Sequence, residues 1–181
     1  MNFLRILRHF KTGQLSLRRI FTDTALAAIE QSIQRAESNH EGEICFTVEA
    51  SLSTTALLNN QTARERAIEV FSLLRIWDTE CNNGVLIYLL LADRDVEIVA
   101  DRGFNTRITD TQWQAICQKM EWAFAQRQFE AGVIEGIHCI SMHLNEHFPC
   151  HGISKKNELS NNQIISNGNS ACNGITEALF S

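Results

Sequence analysis

Apolar residues change their period several times along the chain, and each change marks an element. Ala25, Leu26, Ile29, Ile33 and Ala36 recur at helical spacing behind the capping residues Thr22 and Asp23, which predicts an amphipathic helix. Glu43 to Glu49 then alternates, with Ile44, Phe46 and Val48 on one side and Cys45 and Thr47 on the other, as a strand with at least one buried face does. Leu52 to Asn60 reads as loop. From Gln61 the helical period returns through Ala63, Ala67, Val70, Phe71, Leu74 and Trp77, with Arg64, Glu65, Arg66 and Glu69 on a solvated side.

Val85 to Leu91 is apolar on both faces, which a strand tolerates when helices cover both sides of its sheet. The charged turn Asp93-Arg94-Asp95 and the run Val96 to Asp101 follow at once, a spacing that predicts an antiparallel hairpin over 85–101. Thr109 and Gln112 form a capping box ahead of a helix bearing Trp113, Ile116, Cys117, Met120 and Phe124. A last helix carries Phe129, Val133, Ile137, Ile140 and Leu144 and ends at His147-Phe148-Pro149. This order predicts an α/β fold, a small mixed sheet sandwiched between helices.

The 181 residues suit one ordinary domain with something left over. Residues 13–149 form that domain, between Gly13 and the chain's only proline, Pro149. Residues 150–181 read as a disordered tail, because positions 152–181 hold six Asn, five Ser and three Gly, too little apolar surface to offset ordering entropy. Residues 1–12 read as a basic amphipathic leader: Phe3, Leu4, Ile6, Leu7 and Phe10 fall at helical spacing around Arg5, Arg8 and Lys11. Such a leader either lies on a bilayer surface with its arginines on anionic lipid or packs on the domain, and the low specificity of the pattern favours packing.

Charge sharpens the picture. Residues 1–20 carry +5 and no acid, whereas the formal total is -5, so residues 21–181 hold -10. General affinity for nucleic acid is therefore not expected; an anionic partner, membrane or protein, would have to meet residues 1–12. The longest apolar run, Val85 to Ala92, falls far short of the ~20 residues of a transmembrane helix, and no export signal is legible. Six cysteines without a Cys-x-x-Cys pair suit a reducing compartment, so a cytoplasmic place, peripheral to the inner membrane, is expected.

One acidic group suggests chemistry. If 85–91 and 96–101 pair as a hairpin, Asp78, Glu80, Asn82, Asn83 and Asp101 gather at one sheet edge. Carboxylates and amides without thiolate or imidazole are ligands for a hard cation, Ca²⁺ or Mg²⁺. The competing reading, which carries more weight, is that Asp78, Asn82 and Asn83 simply build a turn. A second cluster, His138, Cys139, His143, His147, Cys150 and His151, includes His143-x-x-Glu146-His147, an inverted zinc-protease pattern. It lacks a further ligand from a structured segment, and structural histidines at a helix C-terminus are the preferred reading. Cys45, Cys81 and Cys117 read as buried, inert thiols. Phosphate-binding Gly-rich loops and nucleophile elbows are absent.

Asn82-Asn83-Gly84-Val85-Leu86-Ile87, then Ala92-Asp93-Arg94-Asp95-Val96-Glu97-Ile98, then Phe129-Glu130-Ala131-Gly132-Val133-Ile134-Glu135-Gly136-Ile137 together resemble the TPM domain family. The family includes thylakoid-lumen acid phosphatases connected with photosystem II repair, bacterial proteins often encoded near LemA, and an animal modulator of acetylcholine receptors. The resemblance spans residues ~10–149 and implies an α/β/α sandwich, sometimes with a divalent cation, with phosphatase activity in plant relatives. Where many members carry Gly-aromatic-Gly-acid after the hairpin, this chain has Gly103-Phe104-Asn105, which weakens a carried-over metal site. Two functions follow: a binding or assembly module associated with a bacterial envelope system, which is favoured, or a metal-dependent, acid-phosphatase-like hydrolase.

Overall fold

The computed structural model describes residues 3–150 with side chains and residues 162–165 as backbone. Two short helices, α1 (Phe3–Lys11) and α2 (Gln14–Ile20), precede α3 (Asp23–Glu37), β1 (Glu43–Glu49), α4 (Thr54–Leu58) and α5 (Ala63–Leu73). The hairpin β2 (Gly84–Leu90) and β3 (Asp95–Ala100) leads through a short 3-10 turn at Arg102–Phe104 into α6 (Asp110–Ala125) and α7 (Phe129–His147). A further strand, β4, covers Asn162–Ile165.

The sheet order is β3-β2-β1-β4. β1 and β2 run parallel, with Ile44 opposite Val85 and Phe46 opposite Ile87, while β2 and β3 are antiparallel, with Ile87 opposite Ile98. The sheet is therefore mixed, and the expected hairpin is present. Every residue of β1 and β2 is buried because helices cover both faces. Ile44, Phe46, Val48, Val85, Ile87 and Leu89 pack toward α3, α6 and α7 in one apolar cluster. Cys45, Leu86, Tyr88 and Leu90 pack toward α4 and α5 in the other. This is the α/β/α sandwich.

Local signals account for most helix starts. Thr22 Oγ1 accepts from the Ala25 amide, and Thr62 with Glu65 and Thr109 with Gln112 close capping boxes, each satisfying N-terminal donors that the helix leaves open. Gly132 on α7 lets α6 approach: a Cβ there would stand 2.9 Å from the Ala123 Cβ and 2.8 Å from the Phe124 ring, closer than packed carbons tolerate.

Four expectations need correction. The helix begun near Gln61 does not reach Trp77: α5 ends at Leu73 and the chain turns through Arg75 at φ 53°. Ile76 fills the core place and Trp77 is half exposed, since the left-handed turn breaks the 3.6-residue period. The loop over 52–60 contains α4, whose start is capped by Ser53 Oγ accepting from the Ala56 amide. Cys81 is exposed, unlike Cys45. Finally, within the presumed tail, β4 pairs parallel with β1, Val48 opposite Ile164; without it the β1 edge would present unpaired peptide groups. Of the rest of that tail, Cys150 is exposed and the remainder, His151 included, lies outside the described residues.

Candidate functional site

The two ends of the hairpin differ in character. At the start of β2, the turn residues anticipated as a cation site are engaged locally. Asn82 adopts φ 52°, and its Oδ1 accepts from Arg102 Nε at 2.7 Å. Asn83 donates through Nδ2 to the Glu41 carbonyl at 2.7 Å, and its backbone amide donates to Thr79 Oγ1. Asp101 Oδ1 accepts from the Arg102 amide, and its Oδ2 is buried with no hydrogen-bond partner among the described residues. Asp78 and Glu80 are exposed. The hairpin thus brings Asn82 and Asp101 together through Arg102, and Asn83 beside them.

This arrangement suits a divalent cation poorly. A guanidinium already holds Asn82, leaving Asp101 Oδ2 as the one buried oxygen of the set without a partner among the described residues, and hard cations take six to eight oxygens. Among the described residues no cluster of three His, Cys, Asp or Glu is placed to hold a metal. In the second cluster, the His143 ring lies edge-on to Trp113 at 6.3 Å, and the backbone carbonyl of His147 accepts from Arg107.

The opposite end carries more. There the parallel strands β1 and β2 finish, the position where open α/β sheets expose ligand crevices. Asp93, in the hairpin turn, collects three groups from α1: Arg5 at 2.8 Å, Arg8 at 3.1 Å and His9 Nε2 at 3.2 Å. The fully inserted His9 also accepts from the Leu52 amide on Nδ1 at 3.0 Å, tying α1 to the end of β1. Burial by itself would raise the Asp93 pKa, but the bonds from His9 and Arg5 outweigh it and hold the carboxyl below the ordinary carboxylate range.

With Arg5 and His9 turned inward and the more exposed Arg8 reaching Asp93 from the rim, α1 presents its apolar side to solvent. Phe3, Leu4 and Phe10 are 73%, 71% and 68% exposed, and Leu7 is 41% exposed; of its apolar residues Ile6 alone packs against the core. The leader therefore packs on the domain, as favoured, but through its charges. Its arginines Arg5 and Arg8 are spent on Asp93, and its hydrophobic face is left over. The spacing of Arg5, Arg8 and His9 at i, i+3 and i+4 was the available sign of a shared polar face; nothing in the sequence named Asp93 as their partner.

Next to this lies an acidic strip, Asp95, Glu97 and Glu121. Burial, and then the charges of Glu97, Glu121 and Asp93, push the Asp95 carboxyl up to about 6. Its unfolded value is ~3.9, so the native state holds the proton more tightly, and this group's contribution to stability falls as pH rises from ~4 to ~6. Asp95→Asn is expected to abolish that fall and to stabilise the protein by roughly 1 kcal/mol near pH 7, after discounting for partial exposure. Urea midpoints of both forms at about pH 4.5 and about pH 7 read the difference; an equal native-to-variant gap at both would contradict it. Burial pushes the thiols of Cys45 and the partly buried Cys117 up to about 12, away from the thiolate form.

Comparison with known proteins places this geometry. The TPM domain model matches residues 17–142, which leaves α1 outside the matched span. Similar solved structures include the BA42 protein of the psychrophilic bacterium Bizionia argentinensis, at 32% identity and a TM-score of 0.67, covering 81% of this chain and 94% of that one. Two more share the fold at low identity. The N-terminal domain of a P. gingivalis protein has 18% identity, a TM-score of 0.54 and coverages of 72% and 82%. The N-terminal domain of cg2496 from Corynebacterium glutamicum has 11% identity, a TM-score of 0.52 and coverages of 75% and 79%. Curated proteins give no match. The family match over most of the chain, the helix-covered mixed sheet and the hairpin closed by Asn82-Asn83-Gly84 agree, and the chain belongs to the TPM domain family.

Proposed function

We propose that this protein is a binding module that docks through the outer face of α1, in an assembly at the bacterial envelope. The observation that supports it is the orientation of that helix: Arg5, Arg8 and His9 are latched on Asp93, and four large apolar side chains point outward on one helical face. An apolar face costs solubility when unused, and exposed contiguous apolar patches mark contact surfaces. No helix among the described residues is long and apolar enough to cross a membrane, so attachment would be from one side.

The test is flotation of the full chain with vesicles prepared from bacterial membranes, their proteins included. The native chain is expected in the floated fraction, and Leu4→Glu with Phe10→Glu is expected to reduce its recovery at least about tenfold. Both positions are exposed, so circular dichroism of the variant should be unchanged. Equal recovery of both forms, or none of either, removes the reading.

One observation keeps a hydrolase reading alongside. Asp101 Oδ2 is buried without a partner among the described residues, and a buried carboxylate oxygen of that kind invites a ligand. If Asp78, Glu80, Asn82, Asn83 and Asp101 close on Ca²⁺ or Mg²⁺, calorimetry detects the binding and Asp101→Ala abolishes it, together with any phosphate-ester turnover. Heat and turnover indifferent to both the cation and Asp101 would end that reading.

A further inference from the structure

A groove runs beside α1, with a volume of about 1390 Å³. Arg8 and Lys11 from α1, Arg19 from α2, Arg94 from the hairpin turn and Arg127 from the α6–α7 connection line it, against a single acid, Glu130. In a chain with a formal charge of -5, the four of these cations other than Arg8, which Asp93 neutralises, form a local positive field that attracts anions. Among the described residues Lys11, Arg19, Arg94 and Arg127 have no carboxylate at ion-pair distance. Arg94 and Arg127 also stand at φ 55° and φ 63°, left-handed positions that Gly or Asn fills at lower cost. Leu91, Phe124, Phe129 and Ile134 add apolar lining.

The groove and the exposed face of α1 are continuous. At 100° per residue, Phe3, Leu7 and Phe10 point one way, Lys11 falls between Leu7 and Leu4, and Arg8 flanks them. Arg8 and Lys11 therefore belong both to the helix and to the groove wall. An apolar ridge bordered by a basic groove has the division of a bilayer surface, with hydrocarbon below and phosphate above.

We infer that α1 and this groove together form a binding site for anionic phospholipid. Phe3, Leu4, Leu7 and Phe10 enter the boundary between headgroups and acyl chains, while Lys11, Arg19, Arg94 and Arg127 receive headgroup phosphates. The inference rests on the docking reading above and names its partner. A polyanion such as RNA would leave the apolar ridge unused, and the charge complementarity of ridge and groove together favours the lipid surface.

The probe is protein-free vesicles of phosphatidylcholine, either alone or with roughly 30% phosphatidylglycerol, cosedimented with the full chain. Binding to the anionic vesicles is expected to exceed that to the neutral ones at least about tenfold and to weaken as salt shortens the Debye length. Arg94→Asn with Arg127→Asn, in which Asn accepts the left-handed dihedrals, is expected to lower the partition coefficient roughly 30-fold. Leu4→Glu with Phe10→Glu is expected to lose binding to both vesicle types. Equal binding to neutral and anionic vesicles, or equal binding by the native chain and the double Asn variant, would overturn the inference. Retention on native membrane vesicles but on neither protein-free preparation would also overturn it, while leaving the docking reading in place with a protein as partner.

Discussion

Arg66→Ala is expected to destabilise the protein by about 3–5 kcal/mol, the cost of stranding a buried charge. Glu49, at the end of β1, is fully buried. It is satisfied by Arg66 Nε at 2.9 Å, Arg66 Nη2 at 3.2 Å and the Tyr88 hydroxyl at 2.6 Å. Arg66 reaches it from α5 and is itself buried, holding the exposed-side Glu69 through Nη1 at 3.0 Å. Burial alone would lower the Arg66 pKa, but the bonds and charge of Glu49 outweigh it, and burial together with Glu49 raises that of Tyr88. Removing the guanidinium leaves the Glu49 carboxylate in an apolar layer with one donor. Tyr88→Phe removes a single bond to a charged group and is expected to cost less, about 1.5–3 kcal/mol. Glu49→Leu combined with Arg66→Met and Tyr88→Phe replaces the whole buried network with apolar volume and is expected to recover most of the loss. Urea unfolding of the four proteins checks the order; an Arg66→Ala midpoint near the native one would contradict it.

Asp93→Ala is expected to release α1 without unfolding the sandwich. The carboxylate is the common partner of Arg5, Arg8 and His9, and the helix otherwise holds on through Ile6 and the His9 bond to the Leu52 amide. Loss of the anchor should weaken that attachment by about 2 kcal/mol, which appears as roughly 30-fold faster amide exchange over Phe3–Lys11. The β2 and β3 amides, protected by the sheet, should exchange as before. The pH dependence has a definite sign: Asp93 has a depressed native pKa, so its contribution is present above ~3.9 and is lost as pH falls through the native value. Unchanged exchange over α1 in the variant would show that the charges do not hold it.

The layered fold was legible because each signal behind it is local. Val85 to Leu91 is apolar at every position, and only a strand covered on both faces buries such a run; Thr109 and Gln112 cap α6 as three-residue spacing requires. The end of α5 was not legible, because Arg75 rather than Gly occupies the left-handed position that stops it. Burial of Glu49 was equally hidden, since a strand-end glutamate reads as solvated until a cation from α5 is seen beneath it. The functional surface failed to show for a related reason. In α1 the sequence displays both arginines and apolar residues, and periodicity separates the two faces but does not say which turns inward. That choice is made by Asp93, more than eighty residues away, and by His9, whose ring finds the end of β1. The groove cations come from four separate elements, so only the assembled fold brings Arg19, Arg94 and Arg127 together.

The outward apolar face of α1 is the claim on which the functional account stands, and lipid labelling by photo-leucine addresses it residue by residue. With photo-leucine incorporated throughout the chain and anionic vesicles present, irradiation is expected to place acyl-chain adducts on Leu4 and Leu7. Leu58 and Leu73, which are comparably exposed but lie on α4 and at the end of α5, serve as internal controls and are expected to remain unlabelled. Adducts spread evenly over all four positions, or confined to Leu58 and Leu73, would contradict the account.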